Sequence, residues 1–189
     1  MKLQMAVDMC DTKQLLELVD MMHDLVDIVE VGTPMIILEG QLPVRSLREK
    51  YPNLTILSDT KIMDGGSLEA RYAFEAGADI VTVLAAADDI TIKSVVDEAQ
   101  KYGKEVMADM INIADVVGCV KRLEKLNVDY ICVHTASDVQ ATGKTPLEDL
   151  EKTVATVKKA KVAVAGGINS RIIKPIVELR PNVVIIGSS

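Results

Sequence analysis

The sequence has 189 residues, of which 49% are hydrophobic, and this is enough apolar material for one packed domain. Its net charge of -7 disfavours non-specific binding to nucleic acid or to an anionic membrane, and no apolar run reaches the roughly 20 residues of a membrane span. The three cysteines lack metal-ligand spacing, which indicates reduced thiols and a cytoplasmic protein.

Short apolar runs alternate with amphipathic stretches along the whole chain. The runs predict eight strands, at residues 3–7, 28–31, 55–58, 80–84, 105–108, 130–133, 162–165 and 183–186. Several are continuous and rich in β-branched residues, as in parallel strands that are buried on both faces. Apolar stripes at helical spacing predict helices at 12–22, 90–102 and 116–126. Thr145-Pro146-Leu147-Glu148 predicts a capping box at the start of another helix.

Eight strands with seven helical stretches between them favour an α/β fold, a single (β/α)8 TIM barrel over residues 1–189. A doubly wound open sheet is the alternative, but it needs fewer strands or a glycine-rich first turn. The sequence stops at Ser189, so the helix that follows strand eight in a complete barrel is missing. Without this helix one side of the barrel wall would be uncovered, so we expect either that the sequence is a fragment or that a partner surface covers the gap.

The most informative segment is Asp59-Thr60-Lys61-Ile62-Met63-Asp64, which follows the apolar run of strand three. Asp59 and Lys61 alternate in an extended strand and are therefore predicted to share one face. Asp64 lies beyond the strand, where Gly65-Gly66 allows a sharp turn. An exposed ion pair would explain this motif on its own, so its meaning depends on the residues around it.

Polar residues close or interrupt other strands, and the C-terminal ends of strands form the active-site face of a TIM barrel. These residues are Asp8, Glu30, Asp109 and His134. Taken singly, Asp8 and Asp109 could cap helices, and His134 could be a hydrogen-bonded core histidine. Glu30 is harder to explain, because a buried and unpaired carboxylate carries a large desolvation penalty. We expect all four to meet Asp59 at one rim, where Asp109 is predicted to contact the substrate.

This rim has an excess of carboxylates, and we expect it to recruit a cation. Like charges at such short range raise each other's pKa or bind a metal. Mg²⁺ commonly takes one or two carboxylates and completes its coordination with water and substrate. Glu30 and Asp59, on adjacent strands, are the predicted Mg²⁺ ligands. Asp8, Asp59 and Asp64 are predicted to keep Lys61 charged.

Glycines end strands seven and eight, where barrels often bind phosphate. Backbone N–H groups approach a phosphate closely only where no side chain intervenes. Gly166-Gly167 and Gly187-Ser188 therefore predict a phosphate site, although a tight turn would explain either pair alone. A sugar phosphate beside a cation, a lysine and a histidine suits proton abstraction next to a carbonyl, with an enediolate stabilised by the cation.

With these residues, the chain resembles the 3-hexulose-6-phosphate synthase family of the orotidine-monophosphate decarboxylase suprafamily, over essentially all 189 residues. The matching segments are 26–34, 59–66, 108–111 and 163–168, with His134-Thr135, Asp138, Gln140 and Gly143. The Asp-x-Lys-x-x-Asp motif that begins at Asp59 defines the suprafamily. The resemblance implies a Mg²⁺-dependent, reversible aldol condensation of formaldehyde with D-ribulose 5-phosphate that gives D-arabino-3-hexulose 6-phosphate.

The resemblance also implies roles for individual residues. Glu30 and Asp59 would help to bind the metal, and Lys61 would stabilise the enediolate. His134 would take part in proton transfer, and the base that deprotonates ribulose 5-phosphate is open between His134 and a carboxylate such as Asp8. The family forms homodimers in which the residue equivalent to Asp64 reaches the neighbouring active site.

Two other functions are alternatives. In the related 3-keto-L-gulonate-6-phosphate decarboxylases, an arginine typically stands at Ser137 and a glutamate at Asp109, so both residues favour the synthase. Leu84-Ala85 and Thr135-Ala136 depart from the glycines that are usual in synthases and lie near the expected substrate. The second alternative is a barrel that binds a sugar phosphate without catalysis.

Overall fold

The apolar runs form eight parallel strands that close into a barrel in chain order, in a computed structural model that describes residues 1–187. The strands are β1 (Lys2–Val7), β2 (Ile28–Val31), β3 (Thr55–Ile62), β4 (Ile80–Leu84), β5 (Glu105–Asp109), β6 (Tyr130–His134), β7 (Lys161–Ala165) and β8 (Val183–Ile186). β8 pairs with β1 and closes the barrel, with Lys2 opposite Val183. The predicted TIM barrel is confirmed, and each predicted strand is present.

Helices connect the strands and surround the barrel. They are α1 (Thr12–Met22), α2 (Thr33–Glu39), α3 (Leu42–Lys50), α4 (Gly66–Ala76), α5 (Asp89–Tyr102), α6 (Val116–Leu126), α7 (Ser137–Gln140), α8 (Leu147–Thr156) and α9 (Ile173–Glu178). The capping box predicted at Thr145 is wrong. Pro146 itself occupies the N-cap position of α8, so Thr145 lies one residue outside the helix, and no side chain of the described residues caps this helix.

Two buried apolar clusters result from the alternation of side chains along the strands. One fills the N-terminal end of the barrel interior and includes Ile28, Leu57, Ile80 and Tyr130. The other lies between the barrel and its helices, where Val29 packs outward from the same strand as Ile28. The cluster inside the barrel thus forms a packed floor, and the space above it, at the carboxyl ends of the strands, is open.

The outer face of the barrel is partly uncovered at β1 and β8. No helix follows β8 within residues 1–187, and an apolar groove runs there between the two strands and α1. Met5, Leu18, Met22, Val26 and Ile186 are among its lining residues. None of the helices in the described range is long and apolar enough to cross a membrane.

Candidate active site

The predicted polar residues converge on a cavity of about 440 Å³ at the carboxyl ends of the strands. The cavity is lined by Asp8, Glu30, Asp59, Lys61, Asp109, His134, Gly166, Gly167 and Gly187. A closed parallel barrel gathers the carboxyl ends of all its strands on one face, so residues far apart in sequence meet. Asp64 is exposed and does not line this cavity, and Ser188 lies outside the described residues.

Asp59 is the most fully bonded of these carboxylates. Its Oδ2 lies 2.5 Å from the Lys61 ammonium and accepts a 2.7 Å hydrogen bond from the Thr33 hydroxyl. Its Oδ1 accepts a 2.7 Å hydrogen bond from the Thr82 hydroxyl. Sequence reasoning missed both threonines. The sequence could have indicated Thr82, because it is the single polar residue in the apolar run of β4.

Lys61 reaches Asp59 through an irregular strand end. The pairing of β3 with β4 shifts register between Ser58 and Ile62, and Lys61 has a left-handed backbone with φ of 46°. Such a conformation is strained for a residue with a side chain, and irregularities of this kind often re-aim a side chain beside an active site. Thr82 Oγ1 holds the turn by accepting a 2.8 Å hydrogen bond from the Lys61 N–H. The two charges meet as predicted, but not through regular strand alternation.

Asp109 and His134 form a second pair on adjacent strands. Asp109 Oδ2 lies 2.9 Å from His134 Nδ1 and 3.5 Å from the Lys61 ammonium. Asp109 Oδ1 accepts a 2.9 Å hydrogen bond from the Ile111 N–H. A carboxylate at Nδ1 favours the imidazole tautomer that carries its proton there. Nε2 is then the ring atom that can exchange a proton with a ligand.

The charges around Lys61 decide which groups are ionised. Burial alone raises the pKa of Asp109, but His134 and Lys61 outweigh it and hold that pKa below its usual value. Burial alone lowers the pKa of Lys61, but Asp59 and Asp109 raise it well above its usual value. Asp109 and Lys61 are therefore charged at neutral pH. The cavity contains a fixed ammonium group between two carboxylates.

Two other carboxylates have raised pKa values. Burial and then the charge of Asp59 raise the pKa of Asp8. The same two causes raise the pKa of Glu30 well above its usual value, although a hydrogen bond from Gln4 acts in the opposite direction. A bound cation would relieve both causes at Glu30, since it compensates for lost hydration and for like charge.

The donor set therefore fits Mg²⁺. Glu30 and Asp59 lie on the paired strands β2 and β3 and both line the cavity. Within residues 1–187, no three His, Cys, Asp or Glu side chains cluster as metal ligands. Two carboxylates suffice for Mg²⁺, which usually keeps several waters and takes further oxygens from its substrate.

Two glycines allow the backbone to pass close to the site. A Cβ atom at Gly32 would overlap the Asp8 carboxylate. A Cβ atom at Gly166, which has φ of 99°, would overlap the backbone of Thr135. Gly166 and Gly167 thus form a bare backbone segment at the rim of the cavity, as the prediction of a phosphate site requires.

Glu30→Gln is expected to stabilise the metal-free protein at neutral pH. Because folding raises the pKa of Glu30, the carboxyl group destabilises the fold increasingly as pH rises from its unfolded-state pKa towards its folded-state pKa. The amide has no charge to desolvate. In calorimetry with a chelator, the melting temperature should rise at pH 8, by about 2–4 °C for each kcal/mol gained. The increase should be nearly absent at pH 4, and an equal increase at both pH values would contradict this origin.

Residues 1–189 match the sequence profile of the orotidine 5'-phosphate decarboxylase / HUMPS family. The chain is 46% identical to the 3-hexulose-6-phosphate synthase of Bacillus subtilis (strain 168) over 187 residues, which are 99% of this chain and 89% of that protein.

Solved structures give the same relationship. A 3-hexulose-6-phosphate synthase from Salmonella typhimurium matches with a TM-score of 0.97 and 45% identity, over 100% of this chain and 89% of that one. A 3-keto-L-gulonate-6-phosphate decarboxylase from Vibrio cholerae matches with a TM-score of 0.86 and 28% identity, over 98% and 87% of the two chains. The chain belongs to the orotidine 5'-phosphate decarboxylase / HUMPS family and, within it, to the 3-hexulose-6-phosphate synthases.

Proposed function

We propose that this protein catalyses the reversible aldol condensation of formaldehyde with D-ribulose 5-phosphate, which gives D-arabino-3-hexulose 6-phosphate. The observation that carries the proposal is the Lys61 ammonium, held between Asp59 and Asp109 inside the cavity. A fixed cation of this kind stabilises an oxyanion that develops beside it. The 46% identity to a 3-hexulose-6-phosphate synthase supports the same reaction.

The residues of the cavity divide the reaction between them. The bare backbone at Gly166, Gly167 and Gly187 receives the phosphate. Removal of a proton from C1 of ribulose 5-phosphate leaves an enediolate, and the Lys61 ammonium donates hydrogen bonds to its developing oxyanion. C1 then forms a bond to the carbon of formaldehyde, and the formaldehyde oxygen takes up a proton. His134, with Asp109 on its Nδ1, moves these protons through Nε2.

Asp8 is the second proton-accepting group that could act on C1, since its pKa is raised towards the working pH. Glu30 and Asp59 would hold Mg²⁺, and the bound ion would supply positive charge that stabilises the enediolate together with Lys61.

Two residues favour the synthase over the decarboxylase. Ser137 lines the cavity and puts no positive charge there, whereas the resemblance places an arginine at this position in the decarboxylases. Asp109 is shorter than the glutamate of those enzymes, and it contacts both His134 and Lys61 directly. A formaldehyde molecule needs no cationic group to hold it, so a neutral residue at position 137 suits the condensation.

We also propose a homodimer in which Asp64 reaches the cavity of the partner. Asp64 is exposed, and so are three large apolar side chains close to it in sequence, Met63, Leu68 and Tyr72. Two further large apolar side chains, Ile37 and Leu38 on α2, are exposed as well. Both α2 and α4 pack against β3, so these side chains belong to one side of the barrel. Exposed apolar side chains grouped on one side of a protein are typical of a protein–protein interface.

Mixing two inactive variants tests the shared site. If Asp64 acts in the partner's cavity, a dimer of one Lys61→Ala chain and one Asp64→Ala chain contains one intact site and one doubly altered site. After co-refolding equal amounts, about one quarter of the wild-type activity should return, because half of the dimers are mixed and half of their sites are intact. A mixture no more active than its separate components would contradict the shared site.

Formaldehyde consumption tests the reaction itself. The protein should remove formaldehyde only when ribulose 5-phosphate is present, and a chelator should stop the loss until Mg²⁺ is restored. Carbon dioxide release from 3-keto-L-gulonate 6-phosphate would identify a decarboxylase instead. Binding of ribulose 5-phosphate with neither reaction would support a barrel without catalysis.

The free, unpaired cysteines suit a reducing cytoplasm, where this chemistry would take place.

A further inference from the structure

Gln4 is a fully buried polar residue inside the barrel that the reaction does not directly use. It lies on β1 two residues before Ala6, which pairs with Glu30, and its side chain lines the floor of the cavity. Its Nε2 donates a 2.5 Å hydrogen bond to Glu30 Oε2. Its Oε1 has no hydrogen-bond partner, and among the described residues it is the one buried side-chain atom in this condition.

A buried amide oxygen without a partner destabilises a fold, so an apolar residue at position 4 would suit the barrel interior better. Met107, Cys132 and Ile185 also line the floor, and each of them is apolar or only weakly polar. The position of the amide is therefore explained by the carboxylate it contacts and not by packing. That carboxylate is the predicted metal ligand Glu30.

We propose that Gln4 is a positioning residue for the cation site, an inference that rests on the proposed Mg²⁺-dependent function. Its amide N–H holds Glu30 Oε2, so that the other carboxylate oxygen of Glu30 is left for the cation.

An amide is the suitable group for this task because it donates a hydrogen bond and carries no charge. A lysine or arginine at position 4 would hold the carboxylate but would also cancel the negative charge that attracts a cation. Lys61 does not compete for this role, since it is bonded to Asp59 and lies near Asp109. Residues that orient a metal ligand commonly change metal affinity by about 10–100-fold when they are replaced.

The test is the affinity for Mn²⁺ alone, measured by electron paramagnetic resonance without substrate. Gln4→Met keeps the length of the side chain and removes its hydrogen bond. We expect this variant to remain folded and to bind Mn²⁺ about 10–100-fold more weakly than the wild type. The control is Thr153→Val, which removes a buried hydrogen bond to the Asp149 carbonyl in α8, away from the cavity, and should leave Mn²⁺ affinity unchanged.

A second measurement shows whether Gln4 acts through Glu30. In a Glu30→Ala background, the further change Gln4→Met should alter Mn²⁺ affinity less than twofold. If Gln4→Met fails to fold, Gln4→Asn replaces it, because an amide one methylene shorter no longer reaches Glu30. A folded variant that binds Mn²⁺ within twofold of the wild type overturns the role of Gln4 alone. A wild-type protein that does not bind Mn²⁺ overturns the proposed metal and this role together.

Discussion

Lys61→Ala is expected to lower kcat/KM for the condensation by about 10³-fold while the chain remains folded. Lys61 is the only lysine or arginine that lines the cavity in the described range, and its ammonium pairs with both Asp59 and Asp109. Asp59 keeps the hydrogen bonds from Thr33 and Thr82, so the site loses charge but not its scaffold. Steady-state kinetics with circular dichroism would measure both effects.

Lys104→Ala is the matched control for this change. The Lys104 side chain is 30% exposed, close to the 24% of Lys61, and it also pairs with an aspartate, Asp79. Lys104 precedes β5 and thus lies at the opposite end of the barrel. We expect lower stability with unchanged kcat/KM. Near-normal rates in Lys61→Ala would contradict the role of the ammonium in stabilising the enediolate.

Asp59→Asn is expected to weaken Mn²⁺ binding by more than about 100-fold and to lower kcat/KM at least as much as Lys61→Ala does. The amide nearly preserves the shape of the side chain but removes the charge that faces Lys61 and the proposed cation. It also places an N–H₂ group against the Lys61 ammonium or against a threonine hydroxyl. Titration with Mn²⁺ and steady-state kinetics would measure the two losses separately.

Asp79→Asn is the control for loss of a paired aspartate. Asp79 is bonded to Arg48, Lys104 and the Ile56 N–H just before β4, away from the cavity. Burial by itself raises its pKa, but the hydrogen bond from Lys104 and the other partners hold that pKa below its usual value, so its charge stabilises the fold at neutral pH. The control should lower the melting temperature and leave Mn²⁺ affinity unchanged. Retained Mn²⁺ binding in Asp59→Asn would exclude Asp59 as a ligand.

The barrel could be predicted because its strands are buried on both faces and therefore read as continuous apolar runs. β2, β4 and β8 have the predicted bounds, whereas β3 runs on to Ile62. The bound of β3 was missed because its end is irregular and polar, and Lys61 adopts a left-handed backbone there. A local pattern does not contain that information, since Thr82 on the neighbouring strand holds the conformation.

The charged and polar part of the site could be predicted where an ionisable residue ends or interrupts an apolar run. Asp8, Glu30, Asp59, Asp109 and His134 follow this pattern, and the structure brings them to one cavity. Thr33 and Gln4 had no such signal, because their importance comes from contacts with residues that lie 26 positions away in sequence. Hydrogen bonds across strands depend on register, which a single sequence does not show.

The choice among related activities depends on few residues. The resemblance implies that the Asp59–Asp64 motif is shared by the suprafamily, so this motif does not choose among its reactions. By the same resemblance, Asp109 and Ser137 favour the synthase over the decarboxylase. The identity of the product tests this choice.

Following the carbon of formaldehyde decides this directly. The protein is incubated with [¹³C]formaldehyde, ribulose 5-phosphate and Mg²⁺, and ¹³C NMR is recorded over time. The label should move into a hydroxymethyl carbon at C1 of a six-carbon ketose phosphate, and Lys61→Ala should abolish this transfer while Lys104→Ala should not. Persistence of the free formaldehyde signal, together with carbon dioxide release when 3-keto-L-gulonate 6-phosphate is supplied, would contradict the proposed condensation.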